Sequence, residues 1–115
     1  MNFMEAVTTV FSKYADFNGR ATRPEFWWFA LFNVIASTIV GFVSQAIFGM
    51  DLLSYIYALA VLLPGLGVAV RRLHDIDRSG WWILVGLIPL IGWVLLIYWY
   101  ASPGTPGANQ FGEAP

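Results

Sequence analysis

The densest group of side chains able to do chemistry is Arg71-Arg72-Leu73-His74-Asp75-Ile76-Asp77-Arg78-Ser79-Gly80. Guanidinium forks pair with phosphate oxygens, so Arg71, Arg72 and Arg78, joined by Arg20 and Arg23 upstream, read as an anion or lipid-headgroup site. A structural reading fits the same residues. The arginines would fix topology, Asp75 and Asp77 would neutralise them, and Ser79 would cap the next helix. Both readings predict ion pairs between the Arg20/Arg23/Glu25 group and the 71–78 loop. His74, Asp75 and Asp77 on one short loop fall short of a metal-ligand set. Ser79 and His74 carry neither a triad geometry nor an oxyanion hole. The chain has no cysteine, which excludes disulfides, thiolate nucleophiles and Cys-based metal sites. No catalytic residue, metal or cofactor is therefore expected, and the sequence assigns no role to His74 and Asp75.

The elements that position this group are set by the placement of charge. The 115 residues, one domain at most, are 58% hydrophobic and only 11% charged, far from a soluble average. Between Phe26 and Phe111 charge occurs only at Asp51 and in the 71–78 cluster. The uncharged stretches Phe26–Met50, Leu52–Val70 and Trp81–Ala101 are 25, 19 and 21 residues long, and about 20 apolar residues in a helix cross a bilayer. The expected fold class is an all-α membrane protein: an N-terminal amphipathic interfacial helix followed by a three-helix transmembrane bundle. The helix is placed at 2–17, the spans at about 25–49, 52–71 and 80–101, and a Pro/Gly-rich tail at 102–115, with no cleaved signal peptide. The first helix either lies in the headgroup plane or packs on the cytoplasmic loops. Asn18-Gly19 should end it, and Thr22, Pro24 and Glu25 mark the start of the first span.

Small and polar residues form stripes within the spans, and Asn33, Ser37, Gly41, Gly65, Gly86 and Gly92 are the candidate helix-packing positions. Pro64 strips the Ala60 carbonyl of its helical partner and predicts a kink. Pro89 and Gly92 predict another kink or a broken helix. No ionisable group lies within a span, as a proton relay would require. The basic residues Lys13, Arg20 and Arg23 precede the first span, and Arg71, Arg72 and Arg78 sit between the second and third. This asymmetry predicts a cytoplasmic N-terminus and 71–80 loop, with the tail outside. Trp27, Trp28, Trp81 and Trp82 would then belt the inner interface, and Tyr55, Tyr57, Tyr98 and Tyr100 the outer one. Folding back at Pro89–Gly92 would instead return the tail to the cytoplasm.

The runs F-N-G-R-A-T-R-P-E-F-W-W (17–28), R-R-L-H-D-I-D-R-S-G-W-W (71–82), I-P-L-I-G-W (88–93) and P-G-T-P-G-A-N-Q-F-G (103–112) resemble the bacterial inner-membrane family catalogued as domain of unknown function 805. The resemblance covers nearly the whole chain in order and spacing. It implies a polytopic inner-membrane protein of unassigned activity and carries over no cofactor or catalytic residue.

The expected function is thus a structural or interaction role, with an Arg-rich cytoplasmic face meeting anionic membrane lipid or a membrane-protein partner, or joining a homo-oligomer. The alternative is a small oligomeric transporter or channel using the Asn33/Ser37/Ser44 face. A membrane enzyme acting on headgroups through His74 and Asp75 is a third class. Nothing supports nucleic-acid binding.

Overall fold

A computed structural model describes residues 1–115. The chain forms α1 (Phe3–Ser12), α2 (Arg23–Phe48), α3 (Leu52–Asp75), a 3-10 helix (Gly80–Leu87) and α4 (Ile91–Ala101). There is no named strand. One isolated bridge, Asn109 with Gly112, closes a turn in the tail.

Helix α1 starts where the Asn2 side chain accepts the Glu5 N–H at 2.8 Å. Its apolar stripe buries Ala6 and Val10 and sets Phe11 edge-on against Phe29 and Phe32 of α2. The helix stops at Ser12, short of the expected 17. Beyond it the chain turns onto α3, where the Asp16 carbonyl accepts from Arg71 Nε at 3.2 Å. Tyr14 reaches the same helix, its hydroxyl donating to the Ala60 carbonyl at 2.9 Å.

Helix α2 begins with Thr22 accepting the Glu25 N–H at 3.3 Å, half of a capping box. Glu25 does not return the bond. Its carboxylate turns inward to Arg71. With 26 residues α2 is about 39 Å long, and α3 with 24 is about 36 Å. These two helices are long and apolar enough to cross a membrane. Only 6% and 17% of their apolar windows are buried, where a soluble core helix would be mostly enclosed. Ile39, Phe42, Leu59 and Leu62 face outward, more than half exposed. At the far end Ser44 is buried and staples the turn, donating to the Met50 carbonyl at 2.6 Å and accepting the Leu53 N–H at 3.0 Å.

The expected single span over 80–101 is replaced by a hairpin. The 3-10 limb, capped by Ser79 accepting the Trp81 N–H at 3.3 Å, has 8 residues and the α4 limb has 11, so each is about 16 Å long. They run antiparallel: Trp82 meets Trp99 edge-on at 5.6 Å, and the Ile83–Val85 stretch and Leu96 pack into one cluster around Trp99 and Tyr100. Pro89 supplies no N–H, and the Ile91 N–H bonds the Pro89 carbonyl at 2.8 Å across Leu90. That is a γ-turn with Leu90 at φ 65° and ψ −65°, a conformation side chains disfavour. Gly92 makes the bend possible, because a Cβ there would overlap the Val85 carbonyl. The Trp93 indole N–H bonds the Gly86 carbonyl at 2.9 Å, supplying a partner near the tip.

The hairpin returns the chain to the end of α3 that it left. Two expectations fall with it. The tail packs against the 71–78 loop rather than at the opposite end, and the Thr105 N–H bonds the Asp75 carbonyl at 2.7 Å. Tyr100, expected at the outer belt, sits beside Arg72, whose Nε donates to the Tyr100 carbonyl at 3.0 Å, and Tyr98 lies on the same limb end.

Candidate functional site

Where α2 begins, α3 ends and the tail returns, three arginines converge below the surface. Arg20 is 5% exposed, and Arg71 and Arg72 are 0% exposed. Burying a guanidinium is tolerable only if charge and hydrogen bonds compensate it. Asp75 supplies both carboxylate oxygens, Oδ1 to Arg20 Nε at 2.9 Å and Oδ2 to Arg72 Nη1 at 2.7 Å. Glu25 pairs with Arg71. The ion pairs predicted between the Arg20/Arg23/Glu25 group and the 71–78 loop are therefore present for Arg20 and Glu25, and Arg23 makes none.

Two carboxylates do not match three guanidinia, and backbone carbonyls fill the difference. Arg20 donates to Thr105 O and Gly107 O at 2.6 Å each, and to Gly112 O at 3.3 Å. Arg72 Nη2 donates to the Ser102 carbonyl. The tail's Pro and Gly residues keep it out of helix, which leaves those carbonyls free to accept. Gly104 lets the tail press against Asp75, since a Cβ there would overlap the carboxylate. Arg71 Nη2 is the one buried side-chain donor without a partner.

His74 is part of this knot. Its Nδ1–H donates to the Gly19 carbonyl at 2.9 Å, and its ring stacks on Phe111 at 3.9 Å and 4°. The Asn109 amide donates to the His74 carbonyl at 2.9 Å. Both His74 and Asp75 thus hold the tail in place, with no group beside them arranged as a nucleophile. The structural reading of the sequence gives Asp75 its neutralising part and leaves His74 without a role. The signal available was the tail itself, a Pro/Gly segment whose carbonyls had no helical use.

The expectation of an Arg-rich outer face is corrected accordingly. Arg20, Arg71 and Arg72 are internal, and of their buried donors only Arg71 Nη2 lacks a partner. Lys13, Arg23 and Arg78 stand at the same end and have no carboxylate within ion-pair distance. Arg78 lies over the Trp99 ring at 4.4 Å and the Trp82 ring at 6.0 Å, a cation–π arrangement. Arg23 donates once, to the Ala101 carbonyl at 3.3 Å. Acidic side chains, among them Asp77 and Glu113, share that end, so its surface is mixed in sign.

The packing candidates separate into two places. Asn33, Ser37 and Gly65 line a groove of about 420 Å³ between α2 and α3, across which the Tyr57 hydroxyl donates to Asn33 Oδ1 at 2.8 Å. Gly41 faces Ser54 at its far end. Gly86 and Gly92 lie inside the hairpin. Ser44, which a pore through the Asn33/Ser37/Ser44 face would need exposed, is fully buried in the turn.

Comparison with known proteins follows this geometry closely in extent. The family model described as "Protein of unknown function (DUF805)" matches residues 14–113, which include every residue of the knot. The chain is 45% identical over 114 residues to inner membrane protein YhaI of Escherichia coli K12, covering 97% of this chain and 96% of that protein. It is 43% identical over 117 residues to inner membrane protein YhaH of the same strain, covering 97% of each. The uncharacterized protein YiiR is 35% identical over 92 residues, 77% of this chain and 60% of that one. No solved structure matches.

Proposed function

The chain belongs to the DUF805 family, and from that premise we propose a multi-pass inner-membrane interaction protein that engages anionic phospholipid from its cytoplasmic end. Helices α2 and α3 cross the bilayer, and the 3-10/α4 hairpin enters from the cytoplasmic side to about half its depth. Limbs of about 16 Å cannot span a core of about 30 Å, so both hairpin ends lie on one side. Irregular backbone at that depth needs internal partners, and near the tip the Ile88, Ile91 and Gly92 N–H groups bond the Val85, Pro89 and Ile88 carbonyls while the Trp93 indole bonds Gly86. The N-terminus and the tail are then both cytoplasmic, in accord with all six basic residues lying at that end.

The observation that carries the reading is the division of the basic residues. Three are enclosed inside the fold and share two carboxylates, while Lys13, Arg23 and Arg78 remain without carboxylate partners beside exposed Trp27, Trp28, Trp81 and Trp82. Each such cation contributes about 1 kcal/mol against an anionic leaflet. The test is lipid retention by the purified full chain, measured by mass spectrometry after extraction into mild detergent. Phosphatidylglycerol should be enriched over phosphatidylethanolamine, and replacing Lys13, Arg23 and Arg78 together by Gln should remove the enrichment. Equal retention of both lipids by the wild type sinks the proposal. A reporter fused after Pro115 should be active on the cytoplasmic side, and periplasmic activity would overturn the topology.

A further inference from the structure

At the start of α2, Arg23, Pro24, Trp27, Trp28 and Leu31 line a shallow groove of about 480 Å³. Their spacing puts them on one helix face, with Arg23 and Leu31 about 12 Å apart along the axis. The two indoles are held as walls by different neighbours. Trp27 Nε1 donates to the Tyr100 carbonyl of α4 at 3.2 Å, and Trp28 meets Phe3 of α1 edge-on at 5.9 Å. Arg23 is the only charged residue lining the groove. Its single bond, to Ala101, leaves most of its donors free, and the nearest carboxylate in sequence, Glu25, is buried on Arg71.

From this juxtaposition we infer that the groove is a site for one anionic phospholipid, its phosphate on Arg23, its glycerol region between Trp27 and Trp28, and an acyl chain along Leu31. Charge complementarity selects the occupant, because an anion is wanted at one end only and the rest of the lining is apolar or indole. A free phosphate would use the Arg23 end and leave Leu31 and the indole faces without a partner. The other main grooves lack this combination. The one beneath the hairpin, lined by Val70, His74, Ser79 and Trp81 among others, contains no cation.

The inference rests on the lipid-engaging reading above and adds the location, so its test separates the two. The full-length protein is reconstituted in phosphatidylcholine vesicles containing a phosphatidylglycerol bearing a photoreactive acyl chain, and labelled residues are mapped by mass spectrometry. Labelling is expected at Trp27–Leu31, reduced about fivefold by Arg23→Gln and largely kept by Arg23→Lys. Lys13→Gln and Arg78→Gln, which act on the leaflet at large and not at the groove, should lower it by less than Arg23→Gln does. Equal labelling by a photoreactive phosphatidylcholine, or labelling at 27–31 that survives Arg23→Gln, overturns the site. A loss on Lys13→Gln or Arg78→Gln as large as that on Arg23→Gln moves the lipid elsewhere, overturning the site while leaving the broader reading standing. If inorganic phosphate at millimolar concentration abolishes the labelling, the groove is a phosphate site and the lipid assignment fails. Because Arg23 is exposed and makes one long bond, thermal unfolding of Arg23→Gln should match the wild type, and that measurement accompanies the labelling.

Discussion

The Tyr14 hydroxyl bonds the carbonyl of Ala60, the one carbonyl of α3 that Pro64 deprives of its helical donor. A helix defect and a side chain from outside the helix are thus matched. Tyr14→Phe should destabilise the protein by about 1 kcal/mol, since an acceptor is left without a donor. In a Pro64→Ala background, where the helical N–H is restored, the same substitution should have little effect. Unfolding in mixed micelles gives the double-mutant cycle, and equal effects in both backgrounds would rule the pairing out.

Asp75 carries two of the three buried arginines. Asp75→Asn keeps the shape but leaves Arg20 and Arg72 uncompensated, and should cost about 3–5 kcal/mol. Asp77→Asn, at an exposed site, should cost less than about 0.5 kcal/mol. Limited proteolysis should cut the tail near residues 103–110 faster in Asp75→Asn than in the wild type. A tail equally resistant in both would mean that Asp75 does not hold it.

Two glycines should behave oppositely. Gly92→Ala puts a methyl group into the Val85 carbonyl and should cost about 2 kcal/mol or more by prising the hairpin apart. Gly65→Ala meets nothing within 4 Å and gains helix propensity, so it should be neutral or slightly stabilising. Thermal melts of the two variants in detergent check this, and a neutral Gly92→Ala would contradict the hairpin.

Leu90 sits at positive φ at the hairpin tip. Leu90→Gly removes a strain of about 1–3 kcal/mol against a glycine entropy of about 0.5–1 kcal/mol, so the net effect should be stabilising. A lower melting temperature for Leu90→Gly would show that its side chain matters more than its backbone.

The absence of cysteine makes topology readable by single-site labelling. Gln110→Cys should react with a membrane-impermeant maleimide only when the cytoplasmic face is open, and Met50→Cys from the periplasmic face of intact cells. Reaction of both from the periplasm would place the tail outside.

What the sequence disclosed follows the physics of each element. The charge-free runs gave α2 and α3, because nothing but length and apolarity is needed to specify them. Thr22 and Ser79 were legible as caps, and Glu25 as a partner for the 71–78 loop, since charges of opposite sign at one end must meet. Pro89 and Gly92 fit a kinked span as well as a reversal, so the residues alone do not specify the hairpin. Only the approach of Gly92 to Val85 and the γ-turn at Leu90 separate the two. The burial of Arg20, Arg71 and Arg72 was missed because counting basic residues treats them as surface charge. Their acceptors are carbonyls of Tyr100, Ser102, Thr105 and Gly107, and a backbone acceptor carries no mark in the side-chain alphabet.

Arg20 and its acceptor Thr105 are 85 positions apart in the chain. During synthesis Arg20 therefore emerges long before the carbonyls that will enclose it exist. With both ends of the chain on the cytoplasmic side, as proposed, it would stay hydrated meanwhile and need never pass through lipid. The arrival of residues 105–112 then converts a loose cationic collar into a sealed one, so the order of emergence makes closure of the knot the concluding step of assembly.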